Sequence, residues 1–334
     1  MIQVVHLTRM PGEGHFSIEG TFAAMREVLG ADIQVDVATC PHPSRGIWPR
    51  LKNMWAAQQS GGDIQHILGD VHYLAFGTRK STTILTICDC GFAYHESPLK
   101  RFVLRLIWLQ LPARRVARIC AISEKTKAEI LSLIEIDPAL IDVIPVCIAD
   151  AFKVSPKAFV EDRPVILQVG TGPNKNVPRL IAALDGLPCE LHIVGRRTPE
   201  IDSALKQHVV ACHFSERLDQ SELVAAYRQS DIVSFVSTYE GFGMPIVEAQ
   251  TVGRVVVTSD LEPMRGVAGG AAALADPFSV SSIREQLLRL IHDGAHRDWL
   301  VEQGLENAKK YRSGVVAAMY RQVYERVWKE SGVR

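Results

Sequence analysis

The chain lacks an excess of charge of either sign. Its 37 Lys and Arg balance its 37 Asp and Glu, so no global electrostatic pull toward nucleic acid exists and no nucleic-acid partner is expected. It also lacks any apolar run of about 18 residues, the length a membrane-spanning helix requires. The first ten residues hold Arg9 and a strand-like run too brief for a signal-peptide core, and a cytoplasmic location is expected. No Asp-x-Asp triplet is present to hold a divalent metal. Gly-x-Gly-x-x-Gly is absent too, because Gly12 and Gly14 are followed at the third position by Ser17. The seven cysteines are scattered and odd in number, and only Cys88 and Cys90 are close, which excludes a disulfide framework and makes a poor zinc site. No repeat and no low-complexity segment stands out.

With 334 residues, 47% of them hydrophobic and 22% charged, the chain exceeds what one hydrophobic core usually supports, and two domains are expected. Short β-branched runs alternate with helical patterns, as in parallel sheets joined by crossover helices. Strands are predicted over 2–7, 33–38, 64–68, 83–87, 119–122 and 142–146. They recur over 165–169, 190–194, 209–214, 232–236, 255–258 and 272–274. The fold class is therefore α/β, two Rossmann-like doubly wound domains. The expected division is 1–150, a linker over 151–164 containing Pro156 and Pro164, a second domain over 165–312, and a C-terminal helix over 313–334.

The densest motif follows the strand at 232–236. Gly241 and Gly243 permit a sharp turn and close approach to a ligand, and Pro245 suits the first turn of a helix. Unpaired amides at that helix start suit a diphosphate. Glu240 and Glu248 remain to hold sugar hydroxyls. Near the strand at 165–169, Gly170 and Gly172 open a loop in which Lys175 is placed to meet phosphate, and Asn176 is expected to cap the next helix.

Two glutamates, Glu240 and Glu248, with seven residues between them that include Gly241, Phe242 and Gly243, and with Ala249 and Gly253 following, resemble the donor-site signature of glycosyltransferase family 4, retaining enzymes of the GT-B fold. Related motifs fall at 8–19, 120–127 and 170–176, so the likeness covers nearly the whole chain. The resemblance implies two sheets facing an interdomain cleft, with the first domain on the acceptor side and the C-terminal helix crossing back to it. It implies transfer of a sugar from a UDP- or GDP-sugar to an acceptor hydroxyl, in glycan, polysaccharide or glycolipid synthesis, through a front-face displacement without metal or other cofactor. Glu240, Lys175 and Asp89 take the catalytic roles. Donor contacts fall to Gly12, Gly14, Thr171, Lys175, Arg196, Leu218, Glu240, Gly241, Phe242, Gly243, Met244 and Glu248, and acceptor-side contacts to His15, Asp89 and His95.

Two positions depart from the family pattern. Thr171 stands where an arginine usually pairs with the lysine, with Arg196 or Arg197 as substitutes, and Cys88 stands where relatives carry a histidine that His95 or His15 would replace. Asp89 also reads as a simple strand-end cap. These departures keep a second reading open, a non-catalytic chain that binds a nucleotide sugar or a partner transferase. Segment 98–118 interleaves Lys100, Arg101, Arg105, Arg114, Arg115 and Arg118 with apolar residues and has no acid, so peripheral contact with the inner face of a membrane is a further expectation.

Overall fold

The computed structural model describes residues 1–10, 17–94 and 97–332, and side chains from residue 20 onward after the first gap. Gly12, Gly14, His15 and His95 lie outside the described residues. The chain divides into two compact units, one formed by Met1–Cys147 with Ser313–Arg334, the other by Ile148–Arg312.

The first unit is built on a sheet of β1 (Ile2–Thr8), β2 (Ile33–Thr39), β3 (Ile64–Ile67), β4 (Thr83–Ile87), β5 (Arg118–Ala121) and β6 (Ile141–Val143), in the order β2-β1-β3-β4-β5-β6. Every neighbouring pair is parallel. β3 and β4 are buried on both faces, as in a covered parallel sheet; β4 is apolar and β-branched, while β3 also buries Gln65 and His66, each with hydrogen-bond partners. Helix Ser313–Ser331 covers one face, burying Val316, Tyr320, Val323, Tyr324 and Val327. Beneath Tyr324 lies a buried polar chain. Its hydroxyl meets Nε2 of His6 at 3.0 Å and Nδ1 of His66 at 2.8 Å, and Nε2 of His66 meets Oγ1 of Thr86 at 2.7 Å.

The second unit carries β7 (Val165–Val169), β8 (Glu190–Val194), β9 (Ala211–Ser215), β10 (Ile232–Phe235), β11 (Val255–Ser259) and β12 (Ala273–Ala275), in the order β12-β11-β10-β7-β8-β9. This sheet is also wholly parallel. The strand order reverses between β7 and β10, and the crevice outside the carboxyl ends of these two strands is where such sheets place ligands. Asp231, at the foot of β10, pairs with Lys157 and accepts from the amides of Val160 and Val165 at 3.2 and 2.9 Å. It thereby ties the stretch before β7 to the sheet.

Two predicted strand bounds are corrected. β6 ends at Val143 rather than at residue 146, because Pro145 has no N–H to continue the ladder. β9 starts at Ala211, since the Val209 amide is held in a turn by Oδ1 of Asp185 at 2.7 Å. Segment 98–118 is helical over 98–113, with a π-helical stretch Arg105–Gln110 between the α-helical Pro98–Leu104 and Leu111–Ala113. Pro112 cannot donate to the carbonyl of Trp108, and Nδ1 of the buried His72 donates to that oxygen instead, at 2.6 Å.

Candidate active site

β7 is followed by Gly170, whose φ of 88° carries the chain into a loop and the turn Pro173–Lys175. A Cβ at Gly170 would lie 3.0 Å from Cε of Lys175, so the bare backbone there lets the lysine fold back over the strand end. β10 ends in a second loop that reaches Gly243, at φ 119°, and enters helix Met244–Val252 with Pro245 as its second residue and no side-chain cap. Asn174 joins the loops: its amide donates to the Tyr239 carbonyl at 2.9 Å and to Oε1 of Glu240 at 3.0 Å, and its carbonyl accepts from the Thr238 amide at 2.8 Å.

This lacing places Nζ of Lys175 at 2.7 Å from Oε1 of Glu240. The ammonium also lies 4.5 Å from the centre of the Phe235 ring, a cation–π contact that fixes its direction. A cation and a carboxylate thus share one point at the switch of the sheet, both partly open to solvent. The pair can meet an anionic leaving group with the ammonium and a hydroxyl with the carboxylate.

Glu248 sits one turn inside helix Met244–Val252, which is buried on almost every side. Its carboxyl is raised to about 7, because burial pushes it up by more than the hydrogen bond from Tyr227 and the charge of Lys175 hold it down. The Tyr227 hydroxyl donates to Oε2 of Glu248 at 2.5 Å. Tyr227 escaped the sequence reading: it lies on a separate helix, Gln220–Gln229, with nothing local to mark its partner. Phe242 is buried against Tyr311, ring centres 5.5 Å apart, so it supports the loop from below. Gly241 and Met244 are partly open at the loop and helix start.

The other expected residues make contacts of their own. Thr171 packs against Gly195, where a Cβ would fall 2.8 Å from its Cγ2, so the ends of β7 and β8 touch. Arg197 donates to Oδ1 of Asp202 from Nε and Nη2 at 2.9 and 2.7 Å and lies over the Phe214 ring. Of the two suggested substitutes, Arg196 is exposed and makes no ion pair among the described residues. Leu218 is half-buried just before Asp219, which alone caps helix Gln220–Gln229 in a reciprocal box with Glu222. Asn176 does not cap its helix by side chain: it takes a left-handed conformation, and its amide instead donates to the carbonyls of Val236 and Pro277 at 3.0 and 2.7 Å. In the first unit, Asp89 is exposed and accepts from the Gly91 amide at 2.8 Å, a local turn contact. Cys88 is half-buried at the end of β4 and lines a small cavity of about 20 Å³ with Thr86 and Tyr320.

Residues 151–307 match the family model described as Glycosyl transferases group 1. O-antigen chain mannosyltransferase B of Escherichia coli is 26% identical over 294 residues, covering 80% of this chain and 75% of that protein. Phosphatidyl-myo-inositol mannosyltransferase of Mycobacterium leprae is 32% identical over 164 residues, but the match covers only 46% of this chain and 44% of that protein. Among solved structures, Anabaena HepE in complex with UDP and glucose superposes with a TM-score of 0.77 at 15% identity, over 98% of this chain and 100% of that one. The fold is GT-B, and the chain resembles the family-4 glycosyltransferases.

Proposed function

We propose that this glycosyltransferase moves a sugar, with retention at the anomeric carbon, from a UDP- or GDP-sugar to an acceptor hydroxyl in glycan or glycolipid synthesis. The observation that carries the reading is the 2.7 Å approach of Lys175 to Glu240 at the switch of the second sheet. Lys175 offers its charge to the departing diphosphate, and Glu240 holds the transferred sugar. Glu248, positioned by Tyr227, accepts from the ribose hydroxyls. Arg196 adds the second cation that Thr171 does not provide. With these cations and the loop amides, the leaving charge is met without a divalent metal, and the departing phosphate takes the acceptor proton, so no side-chain base is required. Two comparisons support the choice of ligand: the solved HepE complex contains UDP and glucose, and two relatives are named for mannose transfer. The acid-free segment 98–118 is proposed to bring the protein to a membrane where a lipid-linked acceptor lies.

Thr171 and Cys88 favour one rival, a chain that binds donor without turning it over. Incubation with UDP-glucose, UDP-N-acetylglucosamine and GDP-mannose in the presence of a chelator separates the two. Slow release of nucleoside diphosphate and an α-configured sugar from one donor is expected. Donor binding with no release, even with a library of glycan and lipid acceptors, would establish the rival.

A further inference from the structure

We propose that the first unit docks on an anionic lipid bilayer through two neighbouring helical faces, with Trp48 and Trp55 as its apolar anchors. The inference rests on the peripheral contact proposed above for 98–118 and moves the anchor to helix Ile47–Gln59, which that reading did not include.

This helix is turned inside out. It buries Asn53 and Ala57, with Nδ2 of Asn53 donating to the His42 carbonyl and the Tyr73 hydroxyl, both at 2.9 Å. Its large apolar side chains point away from the unit: Ile47, Trp48, Leu51 and Trp55 are 74%, 76%, 44% and 67% exposed. At about 100° per residue these four fall within a single stripe of about 100°, a continuous apolar face rather than scattered exposure. A surface helix of a water-soluble protein shows the reverse pattern.

The second face lies alongside. Leu99, Phe102, Val103 and Ile107 are also exposed. The turn His72–Phe76 packs under both segments, and the Arg50 guanidinium spans them, 5.1 Å from the centre of the Trp108 ring and 5.7 Å from that of Tyr73. Neither 40–62 nor 97–123 contains an acid, in a protein whose net charge is zero. Arg45, Lys52, Lys100, Arg101 and Arg105 are exposed around the apolar stripe, and none makes an ion pair among the described residues.

Tryptophan rings ringed by unpaired cations match the headgroup layer of an anionic membrane, where the ring sits at the acyl boundary and the cations meet phosphate. A second copy fits poorly. An isologous dimer would press the same cations against one another without an acid to meet them.

The test is sedimentation of the full chain with vesicles of phosphatidylcholine alone or mixed with phosphatidylglycerol. Binding to the mixed vesicles only, weakened by salt and accompanied by a blue shift of tryptophan emission, is expected. The double variant Trp48→Ser, Trp55→Ser should lose about ten-fold or more in partitioning, with its thermal midpoint and donor binding unchanged because both rings are exposed and neither belongs to the donor site. Lys100→Glu with Arg101→Glu tests the 98–118 contact on its own. Loss in the charge variant but not in the tryptophan variant would overturn this inference and leave that earlier reading standing. Failure of the wild type to bind anionic vesicles would overturn both. A dimer in analytical ultracentrifugation that the tryptophan variant converts to monomer would assign the face to a second copy and contradict the proposal.

Discussion

Glu248 is the residue whose chemistry depends most on its surroundings. Its carboxyl is raised to about 7 by burial, so near neutral pH it is divided between charged and neutral forms. The charged form is the better acceptor for ribose hydroxyls. Donor affinity should therefore rise as pH rises through about 7, and titration calorimetry across pH 5.5–8.5 checks it. In Tyr227→Phe the hydrogen bond that lowers the carboxyl is gone, so the midpoint should move to higher pH and affinity at pH 7 should fall about three- to ten-fold. A Glu248→Gln variant should show no step at all. Lys175→Ala should reduce turnover by roughly a hundred- to a thousand-fold, the scale of losing one preorganised contact to a developing charge; initial-rate kinetics at saturating donor read this directly. The glutamates and Lys175 were legible in sequence because their spacing is tied to flanking glycines. Tyr227 was not, since its contact with Glu248 depends on how two helices pack.

At the scale of elements, most of the two sheets could be read from alternation of β-branched runs with helical patterns. The departures from regular structure share a cause, in that a backbone group is satisfied by something other than the regular ladder. Pro145 ends β6, Asp185 holds the Val209 amide out of β9, and His72 takes over the Trp108 carbonyl that Pro112 leaves. Asn176 behaves likewise, spending its side chain on two distant carbonyls instead of the helix start. The loop after β7 offers a test at this scale. Gly170→Ala forces a Cβ into a left-handed residue and to within 3.0 Å of Cε of Lys175. A stability loss of about 1–2 kcal/mol is expected from the backbone alone. A larger proportional loss of donor binding should follow, because the lysine is displaced. Urea unfolding and donor titration on the same variant separate the two effects.

Across the whole molecule, the buried histidines set how stability responds to acid. Burial holds His66 down to about 3, and burial with the neighbouring His66 and Arg26 charges holds His6 well below its usual value. The unfolded chain takes up a proton at each histidine near pH 6.5, while the folded protein does not. The stability these groups contribute is therefore complete above about pH 6.5 and is lost as pH falls toward the folded value, at up to about 1.4 kcal/mol per pH unit for each. Urea midpoints should drop between pH 7 and 5, and His66→Gln should flatten that slope. The place of the Tyr324 hydroxyl between His6 and His66 was invisible in sequence: helical spacing marked the residue as core, and only the packing of helix Ser313–Ser331 within the first unit joins it to β1 and β3.

The central claim is that the loops after β7 and β10 form a nucleotide-sugar site through Lys175 and Glu240. Titration calorimetry of UDP-, GDP- and ADP-sugars against the wild type, Lys175→Ala and Glu240→Ala tests it most directly. Selective binding of one donor class, lost by at least about ten-fold in both variants while their thermal midpoints hold, is the expected result. Binding that survives both substitutions, or no binding of any donor to the wild type, would contradict it.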